Sequence, residues 1–211
     1  NDLPVYTPQI EKVSGLVDKI YPMFYNGSLV GSYHTDADTQ MKMFKNGQAL
    51  MIIRELDNAR SYFRDMEDNY TINPLPKYDE AQAEYYSNTY TGATIWSIPT
   101  DNTAPEAAAA VMEALAADSY MNVMPAYFET CLQGKLSRNE DTVEMLEVIR
   151  KGAVADIEYL YSFLFGAPHY VVRDVLSDKN GSANVASWYA KNNDKIQAQI
   201  DSTIETIQNM Q

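Results

Sequence analysis

The feature that most narrows the possible folds is a short unbroken apolar run, Ala49-Leu-Met-Ile-Ile53, set directly behind Asn46-Gly47 and ahead of the charged pair Arg54-Glu55. A run of this length without alternation predicts a strand covered on both faces, since a half-exposed strand would alternate apolar with polar. A second run, Tyr70–Leu75, predicts a companion strand of the same sheet. Pro74 and Pro76 remove ladder donors around Leu75, so the chain must leave the sheet there. Helical stripes surround these runs. Ile10, Val13, Val17, Ile20 and Phe24 share one face of a helix over Pro8–Asn26, stopped by Asn26-Gly27. Met41 and Phe44 predict a short helix closed by Asn46-Gly47. Tyr62, Phe63 and Met66 mark the apolar face of one that begins at Asp57. Thr103-Ala-Pro-Glu106 and Asp141-Thr-Val-Glu144 have the spacing of a capping box. The first precedes an Ala-rich helix carrying Val111 and Leu115. The second precedes Met145, Val148 and Ile149, with Gly152 as the stop. Ile196, Ile200, Ile204 and Ile207 stripe a long final helix, while the Tyr- and Thr-rich stretch Tyr85–Pro99 favours an extended conformation. Short buried strands between helices, with few hairpins, define an α/β class that is helix-rich with a small central sheet.

Composition removes several kinds of function. The formal charge is 16 − 29 = −13, whereas a nucleic-acid partner would require a basic stripe. The same charge disfavours adhesion to anionic lipid and promotes solubility. Cys131 stands alone, which excludes an intramolecular disulfide and a thiolate metal cluster. His34 and His169 share no helical spacing, so a histidine-based metal site or triad is not expected, and neither is a cofactor. No apolar stretch approaches the roughly 18 residues that would span a bilayer. The chain opens on Asn-Asp-Leu-Pro without a basic and then apolar leader, which suggests a processed start or a portion of something longer.

Four segments carry a resemblance. They are Phe44-Lys-Asn-Gly47-Gln-Ala-Leu-Met51; Ile72-Asn-Pro-Leu-Pro76-Lys-Tyr-Asp79-Glu80; Tyr90-Thr-Gly-Ala-Thr-Ile-Trp-Ser-Ile98-Pro99 with the Pro-Glu helix behind it; and Pro125-Ala-Tyr127-Phe-Glu-Thr-Cys-Leu132 followed by Met145-Leu-Glu-Val-Ile149. Each is weak alone. In this order, spread over residues 35 to 165, they resemble the extracellular solute-binding proteins of the family 1 type, to which maltodextrin-binding proteins belong. The resemblance implies a type II periplasmic-binding-protein-like lobe, the C-terminal portion of a two-lobed protein that closes on its ligand by hinge motion. It implies residues 1–85 as a second-lobe segment, 86–125 as a crossing and a helix belonging to the first lobe, and 126–211 as the return to the second lobe. It also implies a non-enzymatic role: capture of a small polar solute, a sugar or oligosaccharide, and delivery to the permease subunits of an ABC importer. The location implied is the outer face of the cell membrane, lipid-anchored, or the periplasm. A binding or sensory scaffold that keeps the fold without transport is the alternative.

Within that frame the candidate ligand-binding residues are Arg54, Asp57, Tyr86, Tyr90, Tyr127 and Tyr161. Ligand clefts in α/β domains lie beyond the carboxyl ends of strands, and Arg54 and Asp57 follow the first predicted strand. Arg54 offers fixed donors suited to hydroxyls or a carboxylate. The tyrosines lie near the expected crossings and offer a flat apolar face with a polar tip, which suits a sugar ring. A surface ion pair for Arg54, and core packing for each tyrosine, are the competing structural readings. With 29 acidic residues, spacing nominates no catalytic carboxylate pair. The expected first-lobe excursion leaves Ile95, Trp96, Ile98, Val111 and Leu115 without partners within this chain, so self-association is a further expectation.

Overall fold

The computed structural model describes residues 3, 5–28, 31, 35–90, 92, 96–136, 140–178 and 184–209, with the side chains at 131, 133–136 and 140 left aside. His34, Ile95 and the Cys131 side chain lie outside the described residues. The elements in chain order are α1 (Ile10–Tyr25), α2 (Ala37–Lys45), α3 (Asp57–Ser61), β1 (Ser87–Asn88), α4 (Pro105–Asp118), α5 (Glu140–Lys151), β2 (Ala153–Val154), α6 (Ile157–Leu160), α7 (Tyr170–Ser177) and α8 (Val185–Asn209). Two wider π-helical segments, Ser119–Val123 and Ala126–Leu136, follow α4. The protein is helix-rich with a small two-stranded parallel sheet, compatible with an α/β fold. Packing divides the chain into two compact units, residues 1–40 with 156–211, and residues 41–155.

The first unit is built on α1, α7 and α8. The periodic stripe of α1 faces this core: Val17 is buried, with Ile10, Val13, Ile20 and Phe24 packed around Val171, Val175, Leu176, Val185 and Tyr189. Two tyrosines of α1 then satisfy carbonyls that the end of a helix leaves without intrahelical donors. The Tyr21 hydroxyl donates to the Asp178 carbonyl at 2.9 Å, and that of Tyr25 to the Leu176 carbonyl at 2.6 Å. The isoleucine stripe of α8 buries Ile196 and Ile200, half-buries Ile204 and emerges at Ile207.

The second unit has its core where α3 and α5 meet the wide helix 126–136. Ala59, Phe128, Leu132 and Leu146 are buried there, with Leu56, Ile72 and Tyr127 against them. A cluster of aromatic edges joins Phe44, Phe63 and Tyr70, with centroids 5.3 to 6.2 Å apart. The entry to this unit is set by Gly47, whose φ of 68° only a residue without Cβ takes easily. Gly47 N–H donates to the Phe44 carbonyl and Gln48 N–H to the Met43 carbonyl, the two bonds of a Schellman stop.

Both expected strands need correction. Gln48–Ile53 forms no strand, the chain bending at Gln48 and Leu50, and Leu50, Met51 and Ile53 are 90 %, 80 % and 73 % exposed. Tyr70–Leu75 likewise joins no ladder among the described residues, although its burial alternates as a strand's does: Tyr70, Ile72 and Pro74 are half-buried and their neighbours exposed. Apolar character makes a strand only where another segment offers a ladder. Among the described residues the only such pairing is β1 with β2, Ser87 opposite Ala153 and Asn88 opposite Val154. Two capping expectations also fail. Pro105 occupies the first turn of α4, the cap falls on Ala104 without a side-chain bond, and Asn102 Oδ1 accepts the Ala104 N–H at 2.7 Å in place of Thr103. Asp141 lies inside α5, which already includes Glu140.

Tyr6 packs against both clusters of the first unit, and its hydroxyl is buried with no hydrogen-bond partner among the described residues. Burial, reinforced by Tyr189 and Glu158, pushes it up to about 12 from the ordinary 10. A raised folded-state value contributes stability that is complete below the unfolded value and is lost as pH rises from about 10 through about 12. Tyr6→Phe removes an unpaired buried hydroxyl, so it is expected to be neutral or stabilising by up to about 1 kcal/mol at pH 7. It is also expected to flatten the alkaline fall. Denaturant melts of both proteins across pH 7 to 12 check this.

Candidate functional site

The best-built candidate surface starts at β1. Ser87 N–H donates to the Gly152 carbonyl and Thr89 N–H to the Val154 carbonyl, both at 2.9 Å, and the Thr89 hydroxyl adds a bond to the Val154 carbonyl at 3.1 Å. In an extended chain, residues two apart line one face. Tyr86, Asn88 and Tyr90 are accordingly all exposed, whereas Ser87 and Thr89 are half-buried. Tyr86 and Tyr90, at 51 % and 60 % exposure, therefore present their rings to solvent with an amide side chain between them. Asn88 was not singled out from the sequence. Its signal was the alternation Tyr86-x-Asn88-x-Tyr90, recognisable once the extended register is known.

The segment that leads into β1 is held by its own side chains. Asp79 Oδ1 accepts the N–H groups of Ala81 and Gln82, at 3.0 and 3.2 Å. Lys77 Nζ donates to the Ala83 carbonyl at 2.8 Å and stands 4.7 Å from the centre of the Tyr85 ring. The lysine thus closes a loop and covers one aromatic face immediately before the strand.

The other candidates divide. Arg54 is half-buried, between the exposed residues Ile53 and Glu55. Asp57 opens α3 and accepts from Arg60 Nε and Nη2 at 3.0 and 2.8 Å, a pair with both side chains about half exposed. Such a pair contributes about 0–1 kcal/mol, so Asp57 is engaged locally and weakly. Tyr127 is half-buried against the second unit's core, its ring edge-on to Phe128 at 5.6 Å, which is a packing role. Tyr161 is exposed at the end of α6 and belongs to the first unit, whereas the other five belong to the second. Asp57 and Tyr127 thus sit on elements sharing one core, and Tyr86 and Tyr90 flank β1 on one face of the chain.

A different surface is formed by α4 and the segment before it. Trp96, Ile98, Pro99, Val111 and Met112 line an open depression of about 490 Å³, with Ser97 and Asn102 as its polar members. None of the six candidate residues lines it. No side chain of α4 is buried, and Trp96, Val111 and Leu115 are 61 %, 58 % and 47 % exposed. Ligand pockets enclose most of their ligand, and this open apolar wall has the character of a contact surface instead. Among the described residues no group of three or more His, Cys, Asp or Glu side chains converges as a metal site would require, and no helix is long and apolar enough to cross a membrane. No protein-family model matches the chain, and no curated protein matches it.

α5 delivers the chain to Gly152 and β2, and its last turn is tied by charge. Glu147 accepts from Arg150 at 2.6 and 2.8 Å and lies 3.5 Å from Lys151 Nζ. The Arg150 hydrogen bonds, with the nearby positive charges, hold Glu147 down at about 2 against an ordinary 4.5. A depressed value contributes stability that is present above the unfolded value and lost as pH falls from about 4.5 through about 2. Glu147→Gln is therefore expected to lower the melting temperature slightly at neutral pH, with the difference from wild type closing toward pH 2. Paired thermal melts from pH 7 to pH 2 measure that convergence.

Proposed function

We propose that this chain is part of the solute-binding component of an ABC importer. In this reading it supplies most of the second lobe together with a return excursion into the first. The observation that carries the reading is uncovered apolar surface. A fourteen-residue helix that buries none of its side chains is not held by the packing that ordinarily stabilises a helix of this length. A parallel pair of two-residue strands is too small to stand as a sheet, since parallel sheets are covered on both faces and usually contain more strands. Leu50, Met51 and Ile53 complete the pattern, as large apolar side chains left mostly exposed among the described residues. Together these are the surfaces that a second α/β lobe and further strands would cover. The resemblance implies that residues 86–125 are a crossing and a helix of the first lobe, which supports reading the α4 surface as one that the rest of that lobe would cover. In this reading Tyr86, Asn88 and Tyr90 face the solute, Arg54 and Asp57 stand at the rim, and Tyr127 plays a supporting part within the second unit's core. The solute is a sugar or oligosaccharide, bound without turnover and passed to a permease at the outer face of the membrane.

Binding stabilises the folded state by mass action, so the solute is expected to raise the melting temperature of the full-length protein in a screen of sugars and polyols. Arg54→Ala is expected to weaken the hit by about 1–3 kcal/mol, the scale of a charge-assisted hydrogen bond in a shielded site. A screen with no hit, or hydrolysis of a glycoside abolished by one carboxylate substitution, refutes the reading.

The 211-residue chain alone supplies one wall of the cleft. Association costs several kcal/mol before any surplus shows as affinity, so losing one wall costs far more than half of the useful binding energy. The isolated chain is expected to bind no tighter than about −4 kcal/mol, millimolar. It is also expected to self-associate through the Trp96 and α4 surface. Micromolar binding by calorimetry, or a clean monomer by light scattering at high concentration, contradicts these expectations.

A further inference from the structure

The turn from α5 into β2 passes unusually close to the strand that carries the tyrosines. Gly152 donates its N–H to the Val148 carbonyl at 3.0 Å, ending α5, and accepts from Ser87 through its own carbonyl. A Cβ built on Gly152 would collide with the Tyr85 carbonyl oxygen, and would lie 3.1 Å from the Tyr85 carbonyl carbon and 3.2 Å from the Val148 oxygen. These neighbours are backbone atoms, which cannot swing aside as a side chain can. Any side chain at position 152 must therefore push the Tyr85–Tyr86 peptide away from β2. Gly92 makes the corresponding room at the other end, where a Cβ would lie 3.2 and 3.3 Å from Cδ1 and Cζ of the Tyr90 ring.

We propose that Gly152 is a positioning residue for solute binding: its bare backbone seats the Tyr86–Tyr90 segment so that Tyr86, Asn88 and Tyr90 form a ladder for a linear oligosaccharide. The proposal rests on the solute-binding reading above and deepens it in two respects. It assigns a residue that touches no ligand, and it selects ligand length. Positions four apart on an extended chain are separated by about 13 Å, which exceeds the span of one pyranose ring. One sugar unit can stack on Tyr86 or on Tyr90, while only a chain of units reaches both with the Asn88 amide between them. Binding constellations tolerate displacements of only a fraction of an ångström, so a shift of the Tyr86 peptide is felt at both rings.

The test uses the full-length protein with glucose, maltotriose, cellotriose and xylotriose as probes. Wild type is expected to bind at least one trisaccharide and to bind glucose much more weakly. Tyr86→Ala, Tyr90→Ala and Gly152→Ala are each expected to weaken that trisaccharide by about tenfold or more. Amide hydrogen exchange supplies a readout that needs no ligand. In Gly152→Ala the Ser87 and Thr89 amides, which donate to Gly152 and Val154, are expected to exchange about tenfold faster while amides in α3 keep their rates. Gly92→Ala is the second variant, should Gly152→Ala fold poorly. Its Cβ meets the Tyr90 ring, so it is expected to weaken the trisaccharide with Ser87 and Thr89 exchange unchanged. If the tyrosine variants weaken binding while Gly152→Ala changes neither binding nor exchange, the positioning role is overturned and the binding face stands. If the tyrosine variants bind as wild type does, or no trisaccharide binds, the binding face fails and the proposal fails with it.

Discussion

The bonds from Ser87 and Thr89 to Gly152 and Val154 organise the second unit around one close backbone approach. They join segments 65 residues apart in the chain, so the loop they close is costly in entropy and is fixed only because other contacts support it. Support comes from both sides. The Asp79 and Lys77 hydrogen bonds shape the loop before β1. Leu146 of α5 is fully buried against Phe128 and Leu132, which fixes the helix whose end presents Gly152. The exposed tyrosine face is thus a consequence of a buried helix and a short ladder, and its chemistry depends on elements that lie nowhere near it in sequence.

The first unit is organised on a different principle. Its helices carry enough apolar stripe to cover one another, and α1, α7 and α8 bury Val17, Val175 and Ile196 almost completely. Polar bonds add direction to that packing. The hydroxyls of Tyr21 and Tyr25 take up carbonyls at the end of α7, and the Trp188 Nε1–H donates to Asp174 Oδ2 at 3.0 Å. Here the hydrophobic faces of α1, α7 and α8 find partners within the same unit, although Ile157, Phe163 and Leu164 of that unit are exposed.

In the second unit the exposed apolar residues lie on whole elements. α4 and the wide helical turn after it expose Val111, Leu115, Tyr120 and Met121, and the segment before α3 exposes Leu50, Met51 and Ile53. Apolar area left in water forgoes about 25 cal/mol per Å², which is why surfaces of this kind ordinarily serve as interfaces. The uncovered surfaces lie on the segment before α3 and on a helix that buries none of its side chains.

Several features were settled by the sequence alone. The stripes at three- and four-residue spacing located α1 and α8, and Asn46-Gly47 located the stop of α2, because helix bonding and its termination involve only neighbouring residues. The alternating tyrosines were present in the sequence, but Asn88 became part of a face only once the register of β1 was known. Strand pairing could not be read in the same way. Ala49–Ile53 has the more strand-like composition and remains unpaired, while the polar Ser87-Asn88 pairs with Ala153-Val154. A ladder needs a second segment at about 4.8 Å, and only the tertiary structure decides which segment arrives. Gly152 shows both halves of the division. Its place after an amphipathic run marked it as a helix stop, a local property. That it must also lack a side chain, to let the Tyr85 carbonyl pass, is a long-range steric fact carried by no neighbouring residue.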